Sequence, residues 1–104
     1  MTLVRSNKLP ATHPGLIFKK RILEEHGLTV SEAAKKMHIN RPHLNNFSTG
    51  KVSVTALLAM KLEKSTGISA GFWLNLQKTY DLYINRNLII DCEPLFNLKQ
   101  HRNL

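Results

Sequence analysis

A chain of 104 residues, 42% of them hydrophobic, has the length and composition of one soluble globular domain with a modest core. Its 15 lysines and arginines against 7 acidic residues leave a net charge of +8, which points to a polyanionic partner, either nucleic acid or an anionic membrane surface. The single cysteine, Cys92, excludes an internal disulfide, a CxxC pair and a cysteine-rich zinc site, and no apolar run reaches the roughly 18 to 20 residues of a membrane span.

The N-terminal MTLVRSNKLP lacks the apolar run of a signal peptide, so a cytoplasmic location is expected. Residues 1–12 show no periodicity and are expected to form an arm. Thr12-His13-Pro14-Gly15 follows, with proline suited to a first helical turn, where its missing N–H costs nothing. Ile17, Phe18, Ile22 and Leu23 supply the apolar side of a first helix, and Gly27 ends it. Thr29-Val30-Ser31-Glu32 has the S/T-x-x-E form of a capping box and opens a short second helix, with Ala33, Ala34 and Met37 inward and its end near His38. Asn40 is an N-cap for a third helix that holds Leu44 and Phe47 to the core and closes at Gly50. Only His38-Ile39-Asn40 separates these two helices, so they must cross sharply. Thr55 caps a fourth helix, with Leu58, Ala59 and Leu62 as its core stripe and Gly67 as its stop. Ser69 caps a fifth, running to about Arg86. Its apolar residues spread over more than one stripe, which fits either deep burial or a partner contact. The tail from Asn87 holds Leu88, Ile89 and Ile90, which suit a short strand or a packed extended segment.

The region from Thr29 to Lys51 therefore reads as short helix, tight turn, short helix, flanked by a helix on each side. The positive charge is densest in this half, where Lys35, Lys36, Arg41 and Lys51 face Glu32 alone. In a helix-turn-helix the second helix of the pair lies in the major groove of DNA. Opposite Leu44 and Phe47, the third helix presents Pro42, Asn45, Asn46 and Thr49 at i, i+3, i+4 and i+7, one stripe. An asparagine amide can pair bidentately with adenine, Arg41 can reach a guanine or a phosphate, and Pro42 and Thr49 can pack on a thymine methyl. Arg41, Pro42, Asn45, Asn46 and Thr49 are thus the candidate base contacts. Lys35, Lys36 and Lys51 are placed for phosphates, as are Thr29, Ser31 and Asn40 beside the free N–H groups of two helix starts.

These residues resemble a known family. His13-Pro14-Gly15, Leu28-Thr29-Val30-Ser31-Glu32, Ala34, Arg41, Leu44, Gly50-Lys51, Phe72-Trp73-Leu74-Asn75-Leu76-Gln77 and Tyr80-Asp81-Leu82 are similar to the HigA/VapI antitoxins, Cro/cI-type (XRE) helix-turn-helix proteins, over residues 12–84. The HPG start and the FWLNLQ-x-x-YDL block carry the specificity of the match. The resemblance implies an all-α, five-helix Cro/cI-like (lambda repressor-like) domain over residues 13–86, with a short N-terminal arm and an irregular tail over residues 87–104. It also implies a homodimer, a palindromic operator in double-stranded DNA of the protein's own promoter, and a HigB/RelE-like mRNA-cleaving toxin held inactive. Trp73, Leu76, Tyr80, Tyr83 and Ile84 of the fifth helix are the candidate dimer interface. The chain departs from the family at His38, where glycine is common, at Pro42 and Asn46, often polar or basic, and at Ser48, commonly apolar.

An enzyme is not expected. The five histidines form no H-x-x-x-H pair and no HExxH motif, the acids are scattered, and no glycine-rich loop can cradle phosphates, so no catalytic residue, cofactor or metal is assigned. Two other classes compete with the autorepressing antitoxin: a free-standing regulator without a toxin, and a toxin-binding module with weak DNA binding.

Overall fold

A computed structural model describes residues 11–100, so most of the expected arm and the last residues of the tail lie outside the described residues. The chain is all-α. A first helix begins as α1 (Pro14–Ile17) and continues as a π-helical segment (Phe18–Glu24); α2 (Val30–Met37), α3 (Arg41–Ser48), α4 (Ala56–Thr66) and α5 (Ala70–Ile84) follow, with a final 3₁₀ turn (Leu98–Gln100).

Each helix starts at a side-chain cap, which satisfies backbone donors that have no partner inside the helix. Thr29 closes a reciprocal capping box: its hydroxyl accepts from Glu32 N at 3.0 Å, and Glu32 Oε1 accepts from Thr29 N at 2.8 Å. Asn40 Oδ1 accepts from His43 N, Thr55 Oγ1 from Leu58 N and Ser69 Oγ from Phe72 N. The first helix is capped by an imidazole: Gly15 N donates to His13 Nδ1 at 2.8 Å. The ends repeat one device. Leu28 N reaches Leu23 O, Ile39 N reaches Ala34 O and Lys51 N reaches Asn46 O, each across a residue with positive φ. At the first and third of these the residue is glycine; at the second it is His38, at φ 57° and ψ 46°. The histidine thus adopts the left-handed turn that the missing glycine would have made easy. Lys61 Nζ donates to the His38 carbonyl at 2.8 Å and braces that turn from α4.

The π-helical segment departs from the uniform first helix expected. Its buried residues Phe18 and Leu23 stand five apart, and the wider i→i+5 winding of a π-helix brings such a pair nearer to one side of the helix than an α-helix would.

Phe18, Phe47 and Trp73 form the centre of the core, with ring centroids 5.7 Å apart for Phe18–Phe47 and 6.4 Å for Phe18–Trp73. Leu44, Leu58, Ala59 and Leu62 surround them. Each large side chain so buried contributes roughly 1.5–3 kcal/mol. Trp73 is 0% exposed, so it cannot form part of a dimer interface as expected; its ring packs on Phe18 and holds α5 to the first helix. Gln77, also buried, accepts from Val54 N at 2.8 Å and donates to Asp81 Oδ1 at 2.9 Å, tying the loop before α4 to α5.

The tail does not form the short strand that Leu88, Ile89 and Ile90 suit. Residues 88–97 contain no strand, and Ile89 and Leu95 are 95% and 97% exposed, so these two side chains stand in solvent. Nothing in the described fold offers it an open sheet edge to join.

Candidate nucleic-acid interface

The sharp crossing of α2 and α3 brings their N-terminal ends together. Arg41, the first residue of α3, donates from Nε to Ser31 Oγ at 2.8 Å, across ten positions of sequence. α3 is pinned from behind by Leu44 and Phe47, both 0% exposed. Its outward stripe holds Pro42 and Thr49, exposed, and Asn45 and Asn46, half-buried. Among the described residues neither asparagine amide has a hydrogen-bond partner within the chain. Thr49 turns its hydroxyl back onto Asn45 O at 2.9 Å. Ser48, the residue standing where the family is apolar, is buried, and its hydroxyl is satisfied by Asn45 O at 3.1 Å.

The helix starts offer phosphate less than the sequence promised. The side chains of Thr29 and Asn40 are engaged in capping, and the Thr29 N–H is bound to Glu32. Pro42 has no N–H, and that of His43 is bound to Asn40. The backbone donors that remain are those of Val30 and Ser31 on α2 and Arg41 on α3. Lys35 and Lys51 are exposed. Lys36 stands elsewhere: it lines a cleft of about 380 Å³ at the far end of α2 with Met37, His38, Lys61, Lys64 and Ser65. Lys61 and Lys64 were not singled out from sequence, because α4 carries no feature of a recognition helix. Among the described residues the one ion pair is Arg21–Glu25, at 3.9 Å, so Lys35, Lys36, Arg41 and Lys51 keep their field.

The histidine that matters structurally is His13. It is 4% exposed, and its ring lies 6.0 Å from Phe47 and meets Tyr80 edge-on at 5.0 Å. Burial pushes its pKa below the usual histidine value, against the Val52 carbonyl and the Asp81 carboxylate, which act in the opposite sense. Because Nδ1 accepts from Gly15, the proton of the neutral ring sits on Nε2. The HPG start thus meets the Tyr80-Asp81 part of the FWLNLQ block in space. The motif itself was the available signal: in the sequence it reads as a helix start through Pro14, while His13 is weighed only for metal spacing and given no role of its own. No group of three histidine, cysteine or carboxylate side chains that could hold a metal lies among the described residues.

Of the expected α5 interface, Leu76, Tyr80 and Tyr83 are half-buried and Ile84 is 53% exposed. Tyr83 carries the Arg86 guanidinium 3.9 Å above its ring. The exposed apolar residues of α5 also include Phe72, Leu74 and Leu82. Among the described residues no helix is long and apolar enough to cross a membrane.

The profile of the helix-turn-helix family matches residues 19–73, more than half of the chain. The chain belongs to the helix-turn-helix family, in its HigA/VapI branch. It is 36% identical over 76 residues to virulence-associated protein I of Dichelobacter nodosus, covering 73% of this chain and 70% of that one. It is 34% identical over 84 residues to antitoxin HigA-1 of Vibrio cholerae serotype O1, covering 81% and 79%. The Pseudomonas aeruginosa antitoxin HigA, solved with the higBA promoter, superposes with a TM-score of 0.71 at 26% identity, covering 83% of this chain and 99% of that one. The five helices are those of this Cro/cI-like fold, and the family is one of DNA-binding regulators and antitoxins rather than a class of enzymes.

Proposed function

We propose that the chain is a homodimeric, cytoplasmic antitoxin that represses its own operon and neutralises a HigB/RelE-like mRNA-cleaving toxin. The observation that carries the DNA-binding half is the face at the α2–α3 crossing, where Arg41 and two unpartnered asparagine amides stand on one helix held rigidly from behind. α3 enters the major groove, with Arg41, Pro42, Asn45, Asn46 and Thr49 toward base edges. Ser31, Lys35 and Lys51, together with the starts of α2 and α3 near Thr29 and Asn40, take phosphates, and Lys36 extends that contact at lower weight. Two copies, joined through Leu76, Tyr80, Tyr83 and Ile84 of α5, read half-sites of a palindrome about 34–36 Å apart. The promoter complex of the P. aeruginosa relative supports this reading.

The toxin-binding half rests on the exposed apolar residues of α5 and on Leu88, Ile89, Ile90, Leu95 and Leu98, which a lone domain leaves in water. That same surface favours the second reading, a toxin-binding module in which DNA binding is weak.

The test is fluorescence anisotropy on duplex DNA from upstream of the chain's own gene against a scrambled duplex, at two salt concentrations. Preference for the first duplex that persists at the higher salt is expected, because phosphate contacts alone weaken steeply with salt. Asn45→Ala is expected to cost about 1–3 kcal/mol of discrimination at one base pair, and Lys51→Ala to weaken both duplexes alike. Equal binding of the two duplexes, lost together at higher salt, would transfer the function to toxin capture.

A further inference from the structure

Arg41 and Ser31 stand ten residues apart and on different helices, yet the short hydrogen bond between them joins the two elements that a DNA duplex would meet first. A surface arginine is ordinarily free to sample many rotamers, and each must be lost when it binds. Here its root is fixed. Asn40 is locked as the N-cap by His43 N, Pro42 restricts the backbone immediately after Arg41, and Ser31 is flanked by the closed capping box of Thr29 and Glu32.

The atom that makes the bond matters. A guanidinium has five N–H groups: one on Nε and four on its two terminal nitrogens. Arginine can grip two acceptors side-on, through Nε and one terminal nitrogen, or end-on, through both terminal nitrogens. Ser31 Oγ takes the only hydrogen on Nε, so the end-on grip is the one left. No carboxylate among the described residues pairs with Arg41, so the terminal fork keeps its charge and its donors. The O6 and N7 atoms of guanine are two adjacent acceptors on the major-groove edge, matched to two parallel N–H donors. The serine hydroxyl also keeps its own hydrogen, which a phosphate oxygen beside α2 can accept.

We propose that Ser31 is a positioning residue for base readout: by holding Arg41 Nε it aims the terminal fork of Arg41 end-on at a guanine in each half-site. The inference rests on the DNA-reading function proposed above and adds the base that is read and the residue that sets its reader.

Selection from a random duplex library by the full chain and by S31A, S31T and R41A tests it, followed by anisotropy on the enriched duplex and on versions altered at single base pairs. Ser31 is exposed and inside a helix, where alanine is a good helix former, so S31A is expected to stay folded, with a thermal midpoint lowered by no more than the loss of one exposed hydrogen bond. The wild-type chain is expected to enrich a motif with one guanine per half-site that R41A no longer requires, losing roughly tenfold or more in discrimination there. S31A is expected to lose about 3- to 10-fold at that same base pair, the worth of one hydrogen bond, with other positions and the salt slope unchanged. S31T, which keeps the hydroxyl, is expected to restore it. A wild-type motif whose guanine is read equally well by S31A, or is indifferent to R41A, overturns the inference and leaves the DNA-reading function standing. Enrichment of no motif by the wild-type chain overturns both.

Discussion

A methyl group built on Gly15 would lie 1.6 Å from the carbonyl oxygen of Phe47 and 3.1 Å from the His13 ring. The first of these neighbours is backbone in the middle of the core, so it has no rotamer by which to move away. The first helix and α3 approach at this point, and the approach is possible only without a Cβ. Gly71, in the first turn of α5, has nothing within 4 Å of the same position. The two glycines therefore predict opposite signs for one substitution. Gly15→Ala is expected to cost about 3 kcal/mol or more, since overpacked backbone must shift. Gly71→Ala is expected to stabilise by about 0.4–1 kcal/mol, through the loss of unfolded-state freedom. Urea midpoints with unchanged m-values would measure both. A tolerated alanine at residue 15 would mean that α1 and α3 do not meet as described.

At the level of the helices, the starts were legible because a cap is local: Thr29, Asn40, Thr55 and Ser69 each satisfy a donor three residues away. The stops at Gly27, Gly50 and Gly67 were legible for the same reason, and the left-handed His38 could be expected from what stood in the place of a glycine. The π-helical segment was not recognised, although Ile17–Ile22 and Phe18–Leu23 repeat at five, because short apolar pairs satisfy several helical periods at once. Which α5 residues are buried was also hidden. An apolar helix with more than one stripe does not say which stripe faces home, and Trp73 proved to be core. In the candidate site the α3 stripe was legible from spacing alone. The Arg41–Ser31 bond was not, since it depends on a crossing angle between two helices rather than on any local pattern. The capping box gives a prediction at this level. Thr29→Ala removes the acceptor for Glu32 N and is expected to destabilise the domain by about 1 kcal/mol, read from the thermal midpoint. The Thr29 N–H holds the Glu32 carboxyl below its usual range, so this support is present above that range and fades as pH falls through the lowered value.

Across the whole molecule, one buried side chain connects most of the parts. His13 caps the first helix, lies on Phe47 of α3, meets Tyr80 of α5 and faces Gly50, where an added Cβ would sit 3.6 Å from its ring. The charged and titratable groups around it are Asp81 and Tyr80 on α5, with the Val52 carbonyl on the loop after α3. Protonating the ring would put a hydrogen on Nδ1 facing the Gly15 N–H, two donors with no acceptor between them, inside the core. Burial accordingly favours the neutral form, and the folded pKa lies below the ordinary 6.5. The sign of the pH dependence follows. Above pH 6.5 the ring is neutral in both states and adds no slope. As pH falls below 6.5 the unfolded chain takes up the proton first, so stability declines until the folded pKa has been passed, and is level again beneath it. His13 is one of five histidines in the chain, so its effect is read as a difference between the wild type and a variant that lacks its ring. His13→Asn keeps a side-chain oxygen able to cap the helix but carries no titratable ring. It is expected to be less stable at pH 8, because it leaves space beside Phe47 and Tyr80, yet to lose less further stability than the wild type between pH 7 and pH 5. Parallel pH profiles for the two proteins, from urea midpoints at matched ionic strength, would show that the ring is not held neutral by the fold. Convergence toward acid pH would establish that the contact between the first helix, α3 and α5, and with it the seating of the helix that presents Arg41 and Asn45, is built around an uncharged histidine.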